Sequence, residues 1–291
     1  MVRHEPCGCC AHRTYYGPRR SRENPVPAPE MTSDERSGPR IGVVMPALDE
    51  EAAIGEVLAE LAAALEGERS AGRIAGARVV VCDNGSSDRT GEVARAAGAR
   101  VVREERRGYG RACLTALAEL TGASRTGPVD LVVFLDADHS DYPDDIAVIL
   151  APLLAGEADL VIGSRILGGA TMEALLPQAW LGNRLACVLM RVLFGARHTD
   201  LGPFRAITVD ALEHLAMGDE TFGWTIEMQL KAHTSGLRVV EVPVRYRARI
   251  GSSKITGTLA GTLGAARKIL GWIFAYRLTT WLTRGGSPRY R

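Results

Sequence analysis

The sequence predicts an α/β protein built on a doubly wound, mostly parallel sheet flanked by helices. Short apolar runs typical of strands alternate with segments of helical periodicity between Arg40 and Gly163. Such alternation favours a parallel sheet with right-handed crossover connections. Several of the strand-like runs also stop abruptly at polar turns. In open sheets of this class, ligands bind beyond the carboxyl ends of the strands, so these turns are the places to look for function.

Five strands are predicted in the first half of the chain, each bounded by polar or glycine-containing segments. They are Arg40–Met45, Arg78–Cys82, Arg100–Arg103, Asp130–Leu135 and Leu160–Gly163. The helices between them are Glu50–Leu65, Arg89–Ala97, Gly110–Leu120 and Tyr142–Leu154. In the first of these helices, Ile54, Val57, Leu58, Leu61 and Leu65 recur at the spacing of one helical face.

The second half of the chain is less regular. A glycine-rich loop from Gly168 leads into further predicted elements, namely a helix Gln178–Phe194, a strand Phe204–Thr208, a helix Thr225–Thr234 and a strand Leu237–Val242. Residues 255–291 combine apolar and basic residues and predict a C-terminal amphipathic helix and tail. This helix either lies on a membrane surface or packs onto the domain, and no uncharged run in it is long enough to be a confident membrane span.

Composition limits the class of protein. The chain has 291 residues, 46% of them hydrophobic, which is enough for one full core with appendages. A net charge of +1 with 5% aromatic residues argues against a nucleic-acid partner. Three parts are predicted: a disordered tail at 1–39, a domain at 40–254, and the C-terminal part at 255–291.

The N-terminal tail carries a cysteine cluster. Cys7, Cys9 and Cys10, with His4 and His12, could bind a soft metal, although a simple disordered tail is the alternative. No apolar segment typical of a secretory signal follows Met1, so a cytoplasmic location is expected, with or without attachment to the inner face of the membrane.

Two carboxylates follow the strand Asp130–Leu135. Asp136 and Asp138 are one residue apart at the strand's end. Held close together, they repel each other unless a cation or hydrogen-bond donors compensate. Hard oxygen ligands of this kind suit Mg²⁺ or Mn²⁺ carrying phosphate groups. The pair therefore predicts metal-assisted chemistry on a diphosphate.

Other acidic residues end the first two strands. The first strand runs into a turn containing Pro46, Leu48 and Glu50, and the second ends at Asp83. Carboxylates in such positions can accept hydrogen bonds from a ribose or a base, but each could equally serve a helix N-terminus. Their joint occurrence with Asp138 on one edge of one sheet is the more specific observation.

Taken in order, the motifs resemble a known family. They are Pro46…Asp49-Glu50, Asp83-Asn84-Gly85-Ser86-Ser87-Asp88, Asp136-Ala137-Asp138, Gly163-Ser164-Arg165, Phe204-Arg205-Ala206 and Arg249-Ile250-Gly251-Ser252-Ser253-Lys254. Over residues 40–254 the chain resembles the family 2 glycosyltransferases of the GT-A fold, and within them the dolichyl-phosphate mannose and glucose synthase branch. The resemblance implies an inverting, metal-dependent hexosyltransferase that uses a UDP- or GDP-hexose and a polyprenyl or dolichyl phosphate.

The resemblance also implies roles for individual residues. The base and ribose pocket would be lined by Pro46, Leu48, Glu50 and Asp83. Asp138, with Asp136, would hold Mg²⁺ or Mn²⁺ on the donor diphosphate. Arg165 would lie near the diphosphate or an acceptor phosphate. A mobile loop closing over the phosphates would contribute Arg249, Ser253 and Lys254.

The acceptor decides which further catalytic group is needed. An acceptor hydroxyl needs a general base, for which Glu227, Asp200 and Asp219 are the candidates. A phosphate acceptor is already largely dianionic at neutral pH and needs cations instead. The alternatives are therefore the same donor chemistry on a soluble sugar or metabolite hydroxyl, or a nucleotide-sugar-binding protein without turnover.

The chain departs from the branch's pattern at three places. Leu201-Gly202-Pro203-Phe204 differs from the branch's usual Ser-Gly-Phe run. Ser140 stands where the branch often has a glutamine as a further metal ligand, and Asn84 replaces a second acidic residue after the second strand.

Overall fold

The computed structural model describes residues 38–122, 128–170, 177–251 and 259–282. One sheet contains its strands, which are β1 (Arg40–Ala47), β2 (Gly76–Asp83), β3 (Arg100–Arg103), β4 (Leu131–Phe134), β5 (Leu160–Ser164), β6 (Arg205–Thr208) and β7 (Val239–Pro243). The helices are α1 (Ile54–Ser70), α2 (Thr90–Ala96), α3 (Tyr109–Thr121), α4 (Ile146–Leu154), α5 (Pro177–Phe194), α6 (Val209–Leu215), α7 (Trp224–Ser235) and α8 (Leu259–Leu282). The predicted tail at 1–39 lies outside the described residues except for its last two.

The strand order is β3-β2-β1-β4-β6-β5-β7, and every pairing is parallel except those of β6. β1 lies between β2 and β4, with Ala47 opposite Asp83 and Val44 opposite Phe134. The carboxyl ends of β2, β1 and β4 are therefore consecutive along one edge. This confirms the predicted mostly parallel sheet and brings the three polar turns together.

Each face of the sheet is covered by helices. On one side Ile54 and Leu61 of α1 pack with Ile146 of α4, and all three are fully buried. Burying an aliphatic side chain of this size contributes about 1.5–3 kcal/mol. On the other side α3 approaches β1 so closely that a Cβ on Gly42 would lie 2.2 Å from Cδ2 of Leu120. A side chain at position 42 would therefore require the buried Leu120 to move.

Three features differ from the sequence prediction in detail. The helix expected to start at Tyr142 begins as a single 3₁₀ turn, Pro143–Asp145, before α4. Helix α6 was not predicted, since it has only seven residues, and Thr208 caps it by accepting a hydrogen bond from the Ala211 amide. β6 enters the sheet antiparallel to both neighbours, which a strand pattern alone does not reveal.

The predicted C-terminal helix is present as α8. It packs against α5 and α7, and Ile273 is buried in a cluster with residues of both. Phe274 and Leu278 remain exposed, so apolar residues occur on more than one side of this helix. Of the two alternatives for this segment, packing onto the domain is observed. No helix in the described part of the chain is long and apolar enough to cross a bilayer.

Candidate active site

The turns after β1 and β2 are joined by hydrogen bonds. Asp49 has a positive φ of 52°, an uncommon conformation for a side chain other than glycine. Its carboxylate accepts from the Ser87 amide at 2.7 Å, and its own amide donates to Oγ of Ser86 at 3.0 Å. The Glu50 amide donates to Oγ1 of Thr90 at 2.8 Å. These bonds fix the backbone from which the Glu50 side chain projects.

Asp83 is buried at the end of β2. Its Oδ1 accepts from the Ser86 amide and its Oδ2 from Nη1 of Arg103, each at 2.8 Å. Both carboxylate oxygens are therefore engaged within the protein. Asp83 stands beside the cavity described below without lining it.

Asn84 has a structural reason to be an amide. Its Nδ2 donates to the carbonyl oxygens of Glu104 and Arg106, at 3.0 and 2.8 Å, and its Oδ1 accepts from the Gly108 amide at 2.8 Å. An aspartate could accept but could not donate. Asn84 thus anchors the segment that leads into α3.

The two carboxylates after β4 differ in their surroundings. Oδ1 of Asp136 accepts a hydrogen bond from the Tyr109 hydroxyl at 2.9 Å. Burial, together with the charge of Asp138, raises the pKa of Asp136 to about 6. Asp138 is buried, and its Oδ1 accepts from the Ser140 amide at 2.9 Å. The mutual repulsion of the two carboxylates favours the binding of a cation.

The segment after β7 lies along the loop that carries Asp138. The Arg247 amide donates to the Ser140 carbonyl at 2.9 Å, and the Ile250 amide to the Asp138 carbonyl at 3.0 Å. This pairing brings Nη2 of Arg249 to 3.0 Å from Oδ2 of Asp138 and to 2.8 Å from Oε1 of Glu50. One guanidinium therefore joins the carboxylates that follow β1 and β4.

The donor set fits a divalent cation that a substrate helps to bind. Within the described ranges, no group of three or more His, Cys, Asp or Glu side chains could hold a metal by itself. Mg²⁺ and Mn²⁺ are commonly bound by one or two carboxylates together with substrate phosphates. Asp136 and Asp138 supply that number.

Asp141 is a residue that the sequence reasoning missed. It is buried, and the described part of the protein offers its two carboxylate oxygens no hydrogen-bond partner. Burial, and then the charges of Asp136 and Asp138, raise its pKa. A third acidic residue shortly after the pair was visible in the sequence and was the available signal.

A cavity opens at this edge of the sheet. Six of the predicted donor-site residues line it, namely Pro46, Leu48, Glu50, Asp136, Asp138 and Arg249. Tyr109 and Phe222 also line it and were not predicted. Ser253 and Lys254 lie outside the described residues, so their assignment stays a prediction.

Arg165 and Asp200 form a buried ion pair. The Arg165 backbone amide and Nε both donate to Oδ2 of Asp200 at 2.8 Å, and Nη2 donates to Oδ1 at 2.7 Å. Burial by itself would lower the pKa of Arg165, but the Asp200 carboxylate outweighs it and raises that pKa. Both oxygens of Asp200 are occupied, and neither residue lines the cavity.

Glu227 and Asp219 hold a loop in place. The Glu227 carboxylate accepts from the amides of Gly218 and Asp219 at 3.0 and 2.7 Å. Asp219 in turn accepts from the Gly223 amide at 2.9 Å. This loop carries Phe222 to the cavity wall. Glu227 and Asp219 therefore affect the shape of the cavity indirectly, by fixing the backbone of this loop.

Comparison with known proteins identifies the family. The model for glycosyl transferase family 2 matches residues 42–215. The chain belongs to glycosyltransferase family 2. It is a glycosyltransferase, and the expected enzyme class is confirmed.

Relatives within this family extend over most of the chain. An uncharacterised glycosyltransferase of Mycobacterium tuberculosis is 34% identical over 232 residues, which are 78% of this chain and 94% of that protein. A dolichyl-phosphate hexose transferase of Haloferax volcanii is 34% identical over 216 residues, 74% of this chain and 86% of the relative. A polyprenol monophosphomannose synthase of Mycolicibacterium smegmatis is 32% identical over 192 residues, 62% and 71% of the two chains.

Solved structures share the fold. Glucosyl-3-phosphoglycerate synthase from Mycobacterium tuberculosis, in complex with Mn²⁺, UDP-glucose and phosphoglyceric acid, superimposes with a TM-score of 0.62. The two chains are 25% identical, with 86% of this chain and 85% of that one covered. The glycosyltransferase therefore has the GT-A fold, as expected from the sequence.

Proposed function

We propose that this glycosyltransferase moves a hexose, with inversion, from a nucleotide diphosphate sugar to a polyprenyl phosphate at a membrane surface. The observation that carries the donor half of the proposal is a single cavity. There the Asp136 and Asp138 carboxylates, Glu50 and the Arg249 guanidinium converge beside the β1 turn. A cation-binding pair next to a cation is what a diphosphate requires for neutralisation.

The chemistry places demands that these residues meet. Attack on the anomeric carbon breaks the sugar–phosphate bond, and the nucleoside diphosphate leaves with growing negative charge. Mg²⁺ or Mn²⁺ held by Asp136 and Asp138 would stabilise that charge as a Lewis acid. Arg249, already within 3.0 Å of Asp138, supplies a planar fork suited to phosphate oxygens.

The nucleoside half of the donor would lie against the β1 turn. Pro46 and Leu48 offer apolar contacts there, and Glu50 can accept from ribose hydroxyls. Asp83 would contribute indirectly, by supporting the turn after β2, because its carboxylate oxygens already accept from Arg103 and Ser86. UDP and GDP sugars remain the two donor classes, and the UDP-glucose complex of the structural relative supports testing UDP-glucose first.

The candidate bases favour a phosphate acceptor. The carboxylates of Asp200, Glu227 and Asp219 are all engaged in hydrogen bonds or ion pairs within the protein. A hydroxyl acceptor needs a base to take its proton, whereas a phosphate monoester is largely dianionic near pH 7. Lipid-phosphate relatives support the same choice. Arg165 and Asp200 then act as positioning residues, because they bond to each other and neither lines the cavity.

The second candidate is transfer to a soluble acceptor. The structural relative binds phosphoglyceric acid beside UDP-glucose and Mn²⁺, which is the observation in its favour. Both candidates share the donor site and differ only in what approaches it.

The test supplies purified full chain with radiolabelled UDP-glucose or GDP-mannose and with Mn²⁺ or Mg²⁺. The acceptors are polyprenyl phosphate in detergent and phosphoglyceric acid in parallel. Label in the organic phase supports the lipid acceptor, and label only in water-soluble product sinks it. Asp138→Asn should lose activity even at saturating Mn²⁺, whereas Asp144→Asn should not, because the Asp144 side chain is exposed in the same loop. Full turnover by Asp138→Asn would show that the metal assignment is wrong.

A further inference from the structure

Helix α5 exposes a continuous apolar stripe. Leu181, Leu185, Val188 and Val192 are 63, 45, 49 and 73% exposed. Their spacing of four, three and four residues places them on one side of the helix. Residues on its opposite side, such as Met190, are buried against α7 and α8. The stripe is therefore a second apolar face, and no described part of the domain covers it.

Helix α8 packs on the other side of α5, with the rings of Phe194 and Tyr276 5.9 Å apart. The stripe is therefore left uncovered by α8. We call this exposed surface of α5 the α5 face; its apolar members are Leu181, Leu185, Val188 and Val192.

All charges in these two helices are positive. Between Pro177 and Phe194 the charged residues are Arg184 and Arg191, and between Leu259 and Leu282 they are Arg267, Lys268 and Arg277. Neither stretch contains an aspartate or glutamate. Exposed apolar side chains among cations are typical of helices that lie in the surface of an anionic bilayer.

We propose that the α5 face is a docking surface for an anionic lipid bilayer. A second copy of the chain is the main rival occupant. In a symmetric dimer the same surface meets itself, which would set the cations of one copy against those of the other. Anionic lipid headgroups remove that repulsion while the apolar stripe enters the interface.

Helix α8 contacts a loop that lines the cavity. Nζ of Lys268 lies 3.1 Å from Oδ2 of Asp219, and a Cβ on Gly223 would lie 2.8 Å from Cδ1 of Trp272. Both contacts are made by the loop whose Phe222 lines the cavity. Delivery of a lipid acceptor from the α5 face to this cavity rests on the proposed function, whereas bilayer binding itself does not.

The experiment is co-sedimentation of the full chain with vesicles. Vesicles of phosphatidylcholine are compared with vesicles that also contain phosphatidylglycerol. We expect binding only to the anionic vesicles, weakened by added salt. Leu181→Ser with Val192→Ser should weaken binding roughly tenfold or more, and Arg184→Gln with Arg191→Gln about fivefold per cation removed. Val148→Ser, an apolar residue 40% exposed on α4, is the matched control and should bind normally.

Each other outcome is decisive. Absence of binding to anionic vesicles overturns the proposal, and so does equal binding by the α5 variants, provided that their melting temperatures match the parent. A dimer in solution that Val192→Ser dissociates assigns the face to a second copy instead. Transfer to polyprenyl phosphate in detergent without vesicle binding would overturn the docking proposal and support the proposed function. Vesicle binding without transfer to any lipid phosphate would support the docking proposal and overturn the lipid acceptor.

Discussion

Arg249 should affect metal binding and nucleotide binding in opposite directions. Its guanidinium lies 3.0 Å from Oδ2 of Asp138 and 2.8 Å from Oε1 of Glu50. A divalent cation that binds Asp138 has to share this carboxylate with an existing positive charge. Replacing Arg249 by glutamine removes the competitor, and it also removes a counterion of the diphosphate.

The magnitude follows from the geometry. Two unit charges about 4 Å apart interact by about 4 kcal/mol at an effective dielectric constant near 20. The Arg249 side chain is 27% exposed, so solvent screens part of this interaction. A net effect of about 1.4 kcal/mol, which is about tenfold in affinity, is expected for each of the two opposite changes.

The assay is titration of Mn²⁺ followed by electron paramagnetic resonance, with and without UDP. Arg249→Gln should bind Mn²⁺ alone about tenfold more tightly, and should bind UDP at saturating Mn²⁺ about tenfold more weakly. Arg245→Gln is the matched control, since Arg245 lies in the same segment, is half exposed and pairs with Asp145. Unchanged or weaker binding of Mn²⁺ alone by Arg249→Gln would refute the reasoning.

Three further predictions concern stability. The pKa of Asp136, about 6 against an ordinary 3.8, means that its ionised form destabilises the fold as pH rises through that interval. In urea unfolding with EDTA present, Asp136→Asn should therefore raise the free energy of unfolding by on the order of 2 kcal/mol above pH 7 and leave it unchanged below pH 4. Equal gains at both pH values would contradict this. Arg165→Ala should cost about 3–5 kcal/mol, because it leaves the fully buried Asp200 without its partner, and Asp200→Ala in addition should recover part of the loss. Asn84→Asp should cost about 1–3 kcal/mol in the same assay, since two carbonyl oxygens lose their donor; an unchanged midpoint would show that those bonds contribute nothing.

Much of the fold could be predicted from local pattern. β1 and β4 are short apolar runs, and α1 carries its apolar residues at helical spacing, so these strands and this helix could be predicted. Helix α6 and the antiparallel direction of β6 could not be predicted. A seven-residue helix has too few turns for a periodic signal, and strand direction depends on pairing partners distant in the chain.

Part of the cavity's lining could be predicted for the same reason. Asp136, Asp138 and Glu50 follow directly from strand ends, and parallel strands place such ends on one edge. The roles of Asp200 and Glu227 could not be predicted from the sequence. Asp200 pairs with Arg165 and Glu227 accepts from backbone amides, and a sequence does not distinguish such carboxylates from a free base.

By itself the sequence determined the sheet, the edge that carries the carboxylates and the family motifs, because strand and helix periodicity and turn chemistry are local properties. Only the tertiary structure decided that Arg249 meets both Glu50 and Asp138, that Phe222 lines the cavity, and that α5 keeps an apolar stripe at the surface. These facts depend on pairings between segments as many as 199 residues apart. The free energy of such contacts is set by the packing of the whole domain, which no local pattern records.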